Sequence, residues 1–213
     1  MDRHKVAIVI PAVNEERCIK STVRSVSEYG VPIVVDDGSC DNTVSYAVSE
    51  GALIIRHDVN RGYDEALNSG FSYAAINGFD VVVTFDADGQ HPEGKIPVFL
   101  EALNRGADVV VGRRHIFARF SEYIFSYYTR WRYGIFDPLC GMKAYKIDVY
   151  NEQGFFDSCS SIGTELAIFA CQSGKKVINL PIIVGEREDD SRFGRAWRVN
   201  IKIIKVMFGF MMR

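Results

Sequence analysis

The 213-residue chain lacks any C-x-x-C pair, and its five cysteines are odd in number and scattered. That excludes a disulfide framework and a C-x-x-C zinc site, and it suits a reducing compartment. No apolar run approaches the roughly 18 residues a membrane span needs. The stretch Val6 to Ala12 is too short to span, and no small-residue cleavage site follows it. Charge of one sign is also missing. The formal net charge is −2, so no overall basic field argues for nucleic acid. There is no internal repeat and no low-complexity linker. A content of 47% hydrophobic and 24% charged residues then points to a folded core rather than disorder.

What is present is an alternation of short β-branched runs with helical patterns. Val6–Ile10, Val31–Val35, Leu53–Ile55, Val81–Phe85 and Val109–Val111 read as strands, several apolar throughout as in strands buried on both faces. Helical spacing falls between them, over 15–29, 41–48, 64–75 and 92–103, with Asn14 and Asp41 as N-caps. Gly141–Ile147 and Val177–Val184 read as later strands, and Thr164–Cys171 as a helix. Phe117–Phe136 is rich in aromatics and arginine. The alternation predicts an α/β fold, a doubly wound, mostly parallel sheet with helices on both faces. Ligands bind such sheets at the carboxyl ends of the strands. The polar motifs lie just there, at 11–16, 36–39, 86–91 and 112–114.

Asp86-Ala87-Asp88 follows the strand V-V-V-T-F. Two carboxylates so close together at a strand end read either as a solvated loop with a helix N-cap or as a cation site, and hard oxygen ligands suit Mg²⁺ or Mn²⁺. Asp36-Asp37-Gly38-Ser39 offers carboxylates to a base N–H or to ribose hydroxyls, or simply caps the next helix. Gly112-Arg113-Arg114 offers guanidinium groups to a diphosphate, or to a surface ion pair.

Together, I-P-A-V-N-E-E, V-V-D-D-G-S-C-D-N-T, N-R-G-Y-D-E-A-L-N-S-G and T-F-D-A-D-G-Q-H-P-E resemble the family 2 glycosyltransferases of GT-A fold. D-A-D-G-Q-H-P, V-V-G-R-R, C-G-M-K-A-Y and R-E-D-D-S-R-F-G are similar to the landmarks of dolichol- or polyprenyl-phosphate sugar synthases. The resemblance implies a transferase domain over 1–195 and an amphipathic helix over 196–213. It implies a nucleotide-sugar site from Pro11, Val13, Glu15, Val35, Asp37 and Ala87, with a UDP- or GDP-sugar as donor. It implies that Asp86, Asp88 and Gln90 hold the metal and diphosphate, with Asp88 and Arg114 in catalysis. Arg114 would bind phosphate, and Arg187 and Arg192 would close over it. The chain departs from the family in carrying Val13 where an aromatic is usual and Arg192 where lysine is usual.

The expected reaction inverts the anomeric centre, and the acceptor is a lipid phosphate or a glycan hydroxyl. A phosphate oxygen needs no base, whereas a hydroxyl needs a carboxylate. Glu165 in G-T-E-L-A is the candidate for that role, or an ordinary helix residue. In the C-terminal segment Trp197, Ile201, Ile204, Phe208 and Met211 recur at helical spacing, with Arg198, Lys202 and Lys205 assigned to the opposite side. This reads as a helix lying on an anionic membrane surface, at the cytoplasmic face, or as one packed on the core. An oligomer is compatible with the sequence. Two further classes compete. A receiver domain would need a lysine where Arg113-Arg114 stands, and a non-catalytic nucleotide-sugar binder would not need its intact D-A-D.

Overall fold

Strand β1 (Val6–Ala12) buries all of its side chains, since its alternate faces meet two different apolar layers. The computed structural model describes residues 2–159, 161–185 and 196–212. After β1 come α1 (Ile19–Val26), β2 (Val31–Asp36), α2 (Thr43–Ser49), β3 (Leu53–Arg56), α3 (Tyr63–Ile76), β4 (Val81–Thr84) and α4 (Ile96–Asn104). The second half holds β5 (Val109–Arg113), α5 (Phe120–Tyr133), β6 (Lys143–Lys146), α6 (Ile147–Gln153), α7 (Thr164–Gln172), β7 (Val177–Pro181) and α8 (Ala196–Met211). The strands form one 7-stranded sheet in the order β3-β2-β1-β4-β6-β5-β7. β6 runs antiparallel to both of its neighbours, and the other pairings are parallel. The doubly wound, mostly parallel sheet expected from the sequence is therefore present, with helices on both faces.

One apolar layer joins Ala7, Val9, Ile33 and Val35 to α3, α5, α6, α7 and α8. The other joins Val6, Ile8, Ile10 and Val34 to α1, α2 and α4. Gly70 lets α3 lie close on the sheet, because a Cβ there would come 2.2 Å from Val9 Cγ1. In the register of the parallel strands Ala12 pairs with Asp36, and Val9 with Thr84. The ends of β2, β1 and β4 thus share one edge of the sheet.

Several local expectations change. Asn14 does not cap a helix. Its φ of 50° is left-handed, its N–H donates to Ser39 Oγ (2.8 Å), and its Oδ1 accepts from the Cys40 N–H (2.9 Å). Residues 15–18 form a turn, and regular α1 starts at Ile19. Asp41 is not the N-cap of α2 either: Asn42 takes that position, and Asp41, one residue before it, accepts from the Thr43 N–H at 3.0 Å. The last strand stops at Pro181, at the sheet edge beside Arg113. The aromatic, arginine-rich stretch becomes α5, closed by Gly134 in the left-handed conformation.

Helix α8 packs on α5 through Ile203, Met207 and Phe210, all buried. Each such side chain contributes roughly 1.5–3 kcal/mol when taken from water. The apolar stripe read from periodicity is a different face: Ile201, Phe208 and Met211 are exposed. Lys202 and Lys205 are exposed too, and they do not lie opposite that stripe. Ile201 and Lys205, four residues apart, are neighbours on the helix. Among the described residues no helix is long and apolar enough to cross a membrane.

Candidate active site

The first two turns are laced together. The Glu15 N–H donates to Thr43 Oγ1 (2.8 Å), and the Glu16 N–H donates to Asp41 Oδ2 (3.2 Å). Pro11 and Val35 are cross-strand partners and both are buried, while Val13 and Glu15 are half-buried at the rim. Asp36 is buried, accepting from the Ser39 N–H through Oδ1, with Arg56 Nε 3.4 Å from Oδ2. Asp37 is buried and accepts from the N–H groups of Arg61 (2.8 Å) and Gly62 (2.7 Å). His57 Nδ1 lies 2.7 Å from Asp37 Oδ1, and its Nε2 lies 2.9 Å from Ser69 Oγ. With the carboxylate as acceptor, Nδ1 carries a proton.

At the end of β4 the Asp86 N–H donates to His91 Nδ1 (3.0 Å). The His91 proton therefore sits on Nε2, 3.3 Å from Asp86 Oδ2. The Tyr63 hydroxyl donates to Asp86 Oδ1 at 2.7 Å. Asp88 Oδ1 accepts from the Gln90 N–H (3.1 Å). Ala87 is buried, and its carbonyl accepts from Thr22 Oγ1. Gly141, at the start of the stretch leading into β6, is needed there. A Cβ would stand 2.5 Å from Asp86 Oδ2 and 2.9 Å from His91 Cε1. Asp86 and Asp88 are neither sealed in the core nor loose on the surface, and they offer hard oxygen donors. That donor set fits Mg²⁺ or Mn²⁺ and does not fit a thiolate-preferring metal. Gln90, expected beside them, is clasped to Gly185. Its side-chain amide donates to the Gly185 carbonyl (3.2 Å), and the Gly185 N–H donates to the Gln90 backbone carbonyl (2.9 Å).

Arg114 is engaged with carboxylates. Its Nε and Nη2 donate to the two oxygens of Asp137 (2.8 and 2.9 Å), and Nη2 also reaches Glu122 (3.1 Å). Burial opposes its charge, but the Asp137 hydrogen bonds and charge outweigh that and raise its pKa. A diphosphate would have to compete with this fork-to-fork pair. Glu165 is likewise closed in. It is buried, and its Oε2 accepts from the N–H (2.6 Å) and hydroxyl (2.8 Å) of Ser158. Arg187 and Arg192 lie outside the described residues.

Residues not singled out in the sequence make further buried contacts. Asp157 gathers the following loop, accepting from the N–H groups of Cys159, Ser161 and Gly163 and from the Ser161 hydroxyl. Its oxygens lie near Cys159 and Glu165, in a cluster whose carboxylates already hold loop donors. Lys143 is buried and donates to the carbonyls of Cys140 and Ile162, both at 2.7 Å. Burial lowers its pKa. Tyr63 and His57 had one usable signal: each stands where a strand-end loop reaches the ligand edge of the sheet. A groove of about 780 Å³ with a mostly apolar lining runs along α3 past Tyr73, Tyr150 and Phe155 to Asp157 and Ser158, and its Ser69 contacts His57.

A family model for glycosyl transferase family 2 matches residues 7–162. The chain belongs to that family. It is a glycosyltransferase, and its sheet is the GT-A fold. It is 38% identical over 117 residues to an uncharacterised protein of Methanocaldococcus jannaschii, covering 54% of this chain and 48% of that one. The chain thus spans about half of that relative. It is 28% identical over 209 residues to an undecaprenyl-phosphate mannosyltransferase of Micrococcus luteus, covering 86% of this chain and 85% of the relative. A glucosyl-3-phosphoglycerate synthase of Mycobacterium tuberculosis, crystallised with Mn²⁺, UDP and phosphoglyceric acid, superposes with a TM-score of 0.73 at 21% identity. That match covers 98% of this chain and 79% of the synthase.

Proposed function

We propose that this transferase moves a sugar, with inversion, from a UDP- or GDP-sugar to a polyprenyl phosphate, using Mg²⁺ or Mn²⁺ at Asp86 and Asp88. The observation that carries the donor side is the junction of the two acidic turns. Asp37 holds the N–H of Gly62, and the next residue, Tyr63, holds Asp86. The nucleoside turn and the metal turn are therefore one residue apart through the chain that joins them. Asp37, Pro11, Val13, Glu15, Val35 and Ala87 form the nucleoside end of the cleft in this proposal. When bound, the cation supplies charge that stabilises the departing diphosphate. The chain's own part is to hold the two carboxylates and to exclude water with the buried strand ends.

Two features support a lipid-phosphate acceptor. Glu165 is capped by Ser158 rather than poised as a base, and an anionic oxygen needs none. The α5 face bearing Phe120, Tyr123, Tyr127 and Trp131 is exposed, as are Ile201 and Phe208 of α8. Arg130, Arg132, Lys202 and Lys205 are also exposed on these two helices. Aromatic rings with interspersed cations suit an anionic bilayer surface, where a polyprenyl phosphate presents its head group. The undecaprenyl-phosphate mannosyltransferase named above acts on such a lipid by its name. In this proposal residues 1–195 form the transferase unit, and 196–213 add surface beside the acceptor.

Thermal-shift titration with UDP- and GDP-sugars, with and without Mn²⁺, tests the donor side, because a ligand bound only by the native state raises Tm. A Mn²⁺-dependent rise with one base is expected. No rise with any nucleotide sugar in the presence of metal would overturn the proposed donor site. Sugar transfer to a glycan hydroxyl, and none to polyprenyl phosphate, would overturn the acceptor.

A further inference from the structure

Three consecutive residues at the start of α3 each bond a different wall of the site. The Gly62 N–H donates to Asp37 Oδ2 (2.7 Å). The Tyr63 hydroxyl donates to Asp86 Oδ1 (2.7 Å). Asp64 Oδ1 accepts from the Ile162 N–H (2.9 Å), across 98 residues of sequence. Ile162 is held in a left-handed conformation, at φ 56°, which a β-branched residue rarely adopts. Its N–H is taken by Asp64 and its carbonyl by Lys143, so both sides of the strained residue are clamped. Ile162 lies within the loop that Asp157 organises and that leads to Glu165. Helix α3 also grips that loop further along, since Asn68 donates to the Asp157 carbonyl and accepts from the Phe156 N–H.

We infer that Gly62, Tyr63 and Asp64 are a positioning element that sets the cation-binding carboxylate of Asp86 in register with both the nucleoside turn and the 157–165 loop. This rests on the proposed metal role of Asp86. The Tyr63 hydroxyl is the critical contact. A carboxylate at a loop end has rotational freedom, and donors on both sides, the Tyr63 hydroxyl on Oδ1 and His91 Nε2 3.3 Å from Oδ2, fix its plane and so the direction of the lone pairs left for a cation. Partners of this kind, one step out from the ligands, typically change metal affinity by about 10–100-fold when removed. Tyr63 touches no reacting atom in this account and is not a catalytic residue.

The experiment is Mn²⁺ titration followed by electron paramagnetic resonance, on the full chain in the presence of UDP or GDP, whichever the wild type binds. Tyr63→Phe keeps the ring and removes only the hydroxyl. Its Mn²⁺ dissociation constant should rise by about 10–100-fold. Transfer by this variant should recover toward the wild-type kcat at saturating Mn²⁺, since only the metal requirement has moved. Gly62→Ala is the second variant. Its φ of +98° strains an L side chain even though the space around it is open, and relief of that strain should shift the backbone that carries Tyr63. It too should weaken Mn²⁺, and it carries the test if Tyr63→Phe fails to fold. Asp64→Ala, which removes the acceptor for the Ile162 N–H, should leave Mn²⁺ affinity within about twofold and raise the acceptor KM, reporting the link to Ile162. Wild-type affinity in a folded Tyr63→Phe or Gly62→Ala variant would overturn this inference alone. Failure of the wild type to bind Mn²⁺ would overturn it together with the proposed metal site.

Discussion

The turn that ends β4 and the region around β6 treat their charged residues in opposite ways. In the parallel half, β3-β2-β1-β4, Asp86 and Asp88 stand at a strand end and remain partly exposed. In the half around the antiparallel β6, the charges are closed into local networks. Arg114 faces Asp137 and Glu122, Lys143 is spent on two carbonyls, and Glu165 is capped by Ser158. A strand-end address alone therefore does not make a group available for a ligand. Its hydrogen-bond partners decide that, because a buried charge must be paired before it can be tolerated.

That contrast can be broken or sharpened by substitution. The largest effect is expected from Gly141→Ala, where the β6 approach meets the metal turn. The added Cβ would stand 2.5 Å from Asp86 Oδ2. Metal-dependent transfer should fall at least about 100-fold, as for lost oriented charge at a reacting centre. Wild-type rates in a folded Gly141→Ala protein would remove Asp86 from the site. Next comes Asp64, which burial and then the Asp157 charge raise from 3.8 to about 6. The folded state holds a proton there that the unfolded chain has released, so stability falls as pH rises from about 4 through about 6. Asp64→Asn keeps an acceptor for Ile162 and removes the charge. Its stability should exceed the wild type's by about 1–3 kcal/mol above pH 7, and the gap should close near pH 4. Parallel stability curves across that range would contradict the buried-carboxylate account.

On the α5 surface, Tyr127→Ser with Trp131→Ser should cut sedimentation with anionic vesicles about tenfold, roughly the 1–2 kcal/mol expected of two interfacial aromatics. Transfer to a short-chain, water-soluble prenyl phosphate should be unaffected. Equal vesicle binding would detach this face from any membrane role. The smallest effect is expected for Glu165→Gln, which keeps the bonds to Ser158. The kcat for a phosphate acceptor should change by less than about threefold, against the 10²–10⁴-fold loss a general base would show.

The parallel half was legible in the sequence because its signals are local. Runs such as V-A-I-V-I and V-V-V-T-F mark buried strands, and the polar residues that follow mark the ligand edge. The other half depends on contacts that no local pattern carries. Asp64 meets Ile162 across 98 residues, and Asn68 meets Asp157 across 89. Tyr63 lay inside a quoted motif, yet its bond to Asp86 depends on the packing of α3 against the sheet. Asn14 looked like a helix cap because asparagine favours that position. Asparagine also tolerates a left-handed backbone, and here the lacing of two turns won. On α8 the apolar residues nearly encircle the helix, so periodicity alone chose the exposed face over the packed one.

The most direct measurement is calorimetric titration of UDP and GDP into the wild type and Asp88→Ala, each with and without Mn²⁺. One of the two nucleotides should bind the wild type only when Mn²⁺ is present, and Asp88→Ala should lose that dependence along with the affinity. Undiminished, Mn²⁺-dependent nucleotide binding in a folded Asp88→Ala protein would contradict the account.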